Sequence, residues 1–245
     1  MPASLSDWFK KVASAIRRSF VPLLAIQIGV AVVNVAFWII LSQLALGVAA
    51  SGGATAGLFL LSLLGTVILL IVSVFAQGAS IFVAIRDAAG EPTSVGSGLG
   101  FAASRALPLL GWGFVAGIMM VIGFLLFIIP GIYLAIVFGA TLIGVVAVER
   151  KNIGRCFQLV HRRFWPTAGR LLLAFLIGFI YSLVINIIVA VVIGLDTVAA
   201  TALMYILYIP LGIAAVAVTV VTYAELRFHE SPDTLTPALA AELHR

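Results

Sequence analysis

The chain has 245 residues, of which 63% are hydrophobic and only 9% charged, with a formal net charge of +5. A soluble domain carries about one-quarter charged residues, so this composition excludes a water-soluble globular fold and assigns the chain to the membrane class. Cys156 has no second cysteine with which to form a disulfide, and at about 20 apolar residues per spanning helix the length holds about six spans and no sizeable soluble domain.

The first segment carries Trp8, Val12, Ile16 and Phe20 at intervals of four, with Lys10, Lys11, Arg17 and Arg18 off that stripe. Ser6 before Asp7 reads as a helix start. An apolar stripe opposed by a basic face suits the headgroup layer, so the spacing predicts an interfacial helix that feeds the first span. Val48-Ala49-Ala50 resembles a signal cleavage site. The apolar run before it is about twice the length of a signal core, which favours a retained span.

Apolar length and the breaks between runs place spans at about 21–46, 58–85, 107–129, 132–148, 171–195 and 198–224. They form one membrane domain, 1–226, with a short polar tail, 227–245. Pro130-Gly131 separates the third span from the fourth, and Asp196 reads as the N-cap of the sixth. All 14 lysines and arginines fall in the amino-terminal segment, 86–105, 150–170 or the tail. With six spans these regions share one side, which the positive-inside rule makes the cytoplasm, with both termini there. The expected fold is all-α: three helical hairpins, each introduced by a cytoplasmic interfacial helix.

Pro22, Pro108 and Pro166 each stand at a span entrance, preceded within four residues by arginine. This is a weak internal repeat, which threefold selection of one membrane-entry geometry explains as well as duplication does.

Pro130-Gly131-Ile132-Tyr133-Leu134, Glu149 at the close of the fourth span, the basic amphipathic segment that runs to Trp165, and Tyr223-Ala224-Glu225-Leu226-Arg227 carry a resemblance. In these residues the chain resembles the glycerophosphoryl diester phosphodiesterase membrane domain family of bacterial six-span proteins, without the phosphodiesterase domain. The resemblance implies a fold and a location, and no activity.

Hydrolytic chemistry needs paired carboxylates, a nucleophile with a base, or clustered metal ligands. His161, His229 and His244 are far apart, and Cys156 lies five residues from His161 with no third group to orient the pair. A non-catalytic protein that needs no cofactor is therefore expected. The charged residues all fit at span ends or in loops, which lowers the case for an ion-coupled pump. Uncharged polar residues do align on helix faces: Ser62, Thr66, Ser73, Gln77 and Ser80; Thr201, Tyr205, Tyr208 and Thr219; Gln27 with Asn34; and Ser182 with Asn186. They read either as hydrogen-bonding glue between spans or as a polar groove.

Arg17, Arg18, Arg150, Lys151, Arg155, Arg162, Arg163 and Arg170 are candidate contacts for anionic lipid headgroups. With no soluble domain to present them, nucleic acid is not an expected partner, whereas membrane lipid, a second copy or another membrane protein is. The functional expectation is a lipid-contacting scaffold or accessory subunit, with a transporter or permease for a lipophilic or small neutral substrate as the competing class. On intact cells an impermeant thiol reagent should label cysteines introduced at Ser51 and Asp196 and leave native Cys156 unlabelled; labelled Cys156 would reverse the topology.

Overall fold

The computed structural model describes residues 4–50, 55–192, 198–231 and 236–243, and among them every element is helical. In chain order these are α1 (Leu5–Arg18), α2 (Phe20–Ala50), α3 (Thr55–Ala88), α4 (Val95–Ser104), α5 (Ala106–Leu126), α6 (Ile128–Gly144), α7 (Gly154–His161), α8 (Phe164–Val192), α9 (Val198–Glu230) and α10 (Thr236–Leu243). A π-helical turn, Val145–Glu149, closes α6. Six helices, α2, α3, α5, α6 with its turn, α8 and α9, are long and apolar enough to cross a membrane. Their outer faces carry exposed Val, Ile, Leu and Phe side chains such as Leu64, Leu125, Phe175 and Val191. Water would penalise so continuous an apolar surface, whereas acyl chains solvate it, and the backbone polar groups are satisfied inside each helix. The chain is an all-α polytopic membrane protein.

The long helices pack as the hairpins α2–α3, α5–α6 and α8–α9, and α9 also touches α1, α2, α3 and α6. Of the six spans, α6 is the one mostly buried. Pro22, Pro108 and Pro166 each occupy the third position of their helix, and so does Pro130 in α6. The first four helix N–H groups have no intrahelical acceptor, so proline loses nothing there. That rule also corrects the expected break at Pro130-Gly131. The chain turns at Phe127, which is extended at φ −160° and ψ 148°, and Pro130 lies inside the first turn of the next helix. A Cβ on Gly131 would stand 2.4 Å from Phe124, so glycine is what lets α5 and α6 close on so short a connection.

The same reasoning starts α8 at Phe164 rather than 171, ahead of Pro166, and α9 runs on past residue 224 to Glu230 because its terminal charges are paired. The tail is not a free polar segment: α10 returns to bury Leu239, Ala240 and Leu243 in the main core. Asp196, Ser51 and His244 lie outside the described residues.

The short helices differ from expectation in what they face. The N-cap of α1 is Ser4, whose Oγ accepts from the Asp7 N–H at 3.2 Å and holds the Asp7 carboxyl below its usual range. Trp8 and Val12 pack against Ala217 and Val221 of α9 instead of lipid, and Phe20 belongs to the next helix. In α7, Cys156, Leu159 and Val160 are buried, and Phe157 packs against Tyr133 and Phe138. Arg155, expected to meet lipid headgroups, points instead to Glu149 and Glu230. Both helices are amphipathic, but the surface they cover is the bundle itself. Burial pushes the Cys156 thiol up to about 11 and removes its reactivity. Its silence toward reagents therefore reports packing, and a cysteine at exposed Gln158 is the reporter for that side.

At the crossing of α6 and α9 the Tyr223 ring lies on Gly144, where a Cβ would stand 2.7 Å from it. Gly144→Ala should lower stability by about 1–3 kcal/mol through overpacking. Gly139→Ala, with nothing within 4 Å, should be neutral or stabilising by up to about 1 kcal/mol. Thermal unfolding in detergent measures both, and equal effects would contradict the crossing.

Candidate functional site

Every charged side chain among the described residues lies at one end of the bundle, and there the helices are tied by ion pairs. The Glu149 side chain, 4% exposed, accepts from Arg155 Nε at 2.8 Å and pairs with Arg227 Nη1 at 3.1 Å, while Tyr223 OH donates to its other oxygen at 3.0 Å. Arg155 reaches on to both oxygens of Glu230, and Arg227 Nη2 donates to Glu242 at 2.6 Å. Glu230 and then Glu149 raise the Arg155 pKa further above its ordinary value. A second cluster centres on Glu225, which takes Lys11 Nζ at 2.7 Å and Arg170. Together these pairs join α1, the π-helical turn, α7, α8, α9 and α10.

This changes the reading of the eight cations. Arg155 and Arg170 are held by carboxylates, leaving Arg17, Arg18, Arg150, Lys151, Arg162 and Arg163 without an ion pair among the described residues. Arg227, read from sequence as part of a loose tail, is a structural cation. Glu149 and Glu225 were legible as motif residues but not as partners, and Glu230 and Glu242 were not singled out at all. The available signal was spacing: Tyr223, Arg227 and Glu230 share one face of α9 at i, i+4 and i+7. Arg150, at φ 53°, ends the π-helical turn in the left-handed region usually taken by glycine, and so turns the chain at Glu149.

An apolar-walled pocket of about 280 Å³ opens at this end between α1, α3, α9 and α10, with Lys11, Arg18 and Glu225 at its rim and Ile85, Val221 and Leu239 in its walls. Ser19 Oγ donates to Asp87 at 2.6 Å and Arg18 Nη1 to the Ala88 carbonyl at 3.3 Å, which fixes the start of α2 against the end of α3.

The intramembrane polar residues separate into two groups. Most bond either to the backbone of their own helix or across to a neighbouring span, while Ser80, fully buried, has no partner among the described residues. Asn34 donates to Val30 O, Ser62 to Phe59 O and Thr66 to Ser62 O. Across α8 and α9, Tyr208 OH bonds Ser182 at 2.8 Å and Asn186 at 2.7 Å, and Tyr181 OH donates to the Leu207 carbonyl near Pro210. Trp38 Nε1 donates to Tyr205 OH at 2.8 Å. That pair lies 19 residues from Ser19 along α2, about 29 Å at 1.5 Å per residue, which is the far edge of a hydrocarbon layer about 30 Å thick. Thr201, at the start of α9, does not line the cavities described here. The second group, Gln27, Ser73 and Gln77 with Thr219, lines a cavity of about 200 Å³ between α2, α3 and α9.

No protein-family model, curated protein or solved structure matches the chain. The sites above are therefore argued from geometry. Glu149→Ala should cost about 1–3 kcal/mol because it leaves the Tyr223 hydroxyl unpaired and takes one of two carboxylates from Arg155 and Arg227, whereas Arg162→Gln, on an exposed side chain, should change stability by less than about 0.5 kcal/mol. Thermal unfolding of the two variants in one detergent gives the comparison.

Proposed function

We propose that this chain is a non-catalytic membrane scaffold or accessory subunit that holds anionic lipid at its charged end. The carrying observation is the pocket beneath α1 and α10: apolar walls wide enough for acyl chain, opening beside Arg18 at headgroup depth. Arg17, Arg150, Lys151, Arg162 and Arg163 extend the cationic surface around that end. Lysine and arginine near an anionic surface are worth about 1 kcal/mol each, and guanidinium binds phosphate through paired hydrogen bonds. The excess of cations at this end supports a cytoplasmic orientation with both termini inside, and the family resemblance supports a bacterial plasma membrane.

Native mass spectrometry of protein purified with phosphatidylglycerol tests this reading. Arg17→Gln with Arg18→Gln removes about 2 kcal/mol of attraction, so lipid retention should fall roughly thirty-fold. Ala88→Leu, which fills the pocket without altering charge, should also reduce it. Equal retention in wild type and both variants would leave the cations with only a topological role.

A further inference from the structure

The cavity between α2, α3 and α9 differs from the rest of the membrane interior in its hydrogen bonding. Elsewhere Asn34, Ser62, Thr66, Ser182, Asn186, Tyr205 and Tyr208 bond to backbone or to another side chain, and Ser80, fully buried among close-packed residues, is an exception. Here the carboxamides of Gln27 and Gln77 and the hydroxyl of Ser73 have no hydrogen-bond partner within the protein among the described residues. Each carboxamide offers two donors and an acceptor, and leaving them unsatisfied in hydrocarbon is costly. The depth is consistent from two helices. Gln27 is eight residues beyond Ser19 and Gln77 ten residues before Asp87, so with Ser19 bonded to Asp87 both lie about 12–15 Å below the charged end. That is the middle of the hydrocarbon layer.

We propose that this cavity binds the hydroxyl or carbonyl group of an uncharged lipid that enters from the bilayer. Three features define the ligand class. No ionisable side chain lines the cavity, so a charged headgroup at this depth would have no counter-ion. Gln77 is exposed on the outer surface of α3, which opens the site sideways to lipid. On the other side of Gln27 an adjoining cavity of about 280 Å³, walled by Val30, Ile209 and Leu211, has room for hydrocarbon. Gly212 stands where the two meet. A Cβ there would lie 2.6 Å from Gln27 Oε1, so the glycine gives the carboxamide its place along α9. The site is separate from the anionic-lipid pocket and does not depend on it.

The test is photolabelling of the purified full chain in lipid nanodiscs with three probes: hexadecanol bearing a chain diazirine, the matching hexadecane, and the matching hexadecyl phosphate. The alcohol should label peptides of α2, α3 and α9 around Gln27 and Gln77, and unlabelled hexadecanol should compete. The alkane should label without such preference, and the phosphate should label near α1 and α10. Gln27→Leu with Gln77→Leu should cut the competed alcohol labelling about tenfold, as for loss of one or two hydrogen bonds. Thermal stability of that variant should hold or rise, because polar groups kept for a ligand are unfavourable to packing. Gly212→Ala, which crowds Gln27 out of its place, should give the same loss of labelling and decides the matter if the double variant does not fold. Equal labelling by alcohol and alkane, or undiminished alcohol labelling in either variant, overturns the proposal and leaves a cavity that holds only water or acyl chain. Loss of phosphate labelling in the Arg17/Arg18 variant with the alcohol site intact would separate the two sites.

Discussion

The buried carboxylate of Glu149 is the constraint to which the charged end is fitted. A carboxylate taken out of water loses several kcal/mol of hydration, and only close cations and donors return it. Arg155 comes from α7, Arg227 and Tyr223 from α9, so the second and third hairpins must meet in one register for the charge to be tolerated. The backbone serves the same end. The π-helical turn and left-handed Arg150 bring the carboxylate inward, and Gly144 leaves room for the Tyr223 ring beside it. Such a pair is weak evidence for net stability, since apolar residues of equal volume often do as well. Its value here is register: a helix shifted by one turn would strand a charge.

Away from that end the bundle uses a different economy of polar groups. Hydrogen bonds between spans average only about 0.6 kcal/mol in membranes, so the Tyr208, Asn186 and Ser182 cluster fastens α8 to α9 loosely by comparison with the ion pairs. The protein is thus pinned at one side of the bilayer and held more weakly toward the other. The two membrane cavities lie along α9 below the pinned layer, where small separations of α2, α3 and α9 would cost least.

Much of this architecture was legible in the residues. Apolar length gave six spans because hydrocarbon thickness dictates helix length, and the three prolines marked helix starts because the first turn tolerates a missing N–H. What escaped was partnership. The stripe of Trp8 and Val12 has the periodicity of a lipid-facing helix, yet α9 covers it; periodicity reports that a face is apolar and not which apolar neighbour meets it. Arg155 and Arg162 look alike in sequence, but one is enclosed by Glu149 and Glu230 and the other is exposed. The polar stripes showed the same ambiguity: Gln27 and Gln77 converge from different helices on one cavity, whereas Ser62 and Thr66, on the same face of α3 as Gln77, simply bond to their own backbone.

The one-residue connection at Phe127 has a consequence for the surrounding bilayer. α5, with 21 residues, is about 32 Å long, whereas α2, with 31, is about 46 Å. The α5–α6 tip, Phe127, Ile128 and Ile129, is apolar and largely exposed, with no polar group to anchor it in water. α5 thus matches a hydrocarbon layer about 30 Å thick, whereas α2 exceeds it, an excess that tilt accommodates. The apolar tip at Phe127 therefore ends near the hydrocarbon boundary, while the longer α2 has residues to spare beyond it.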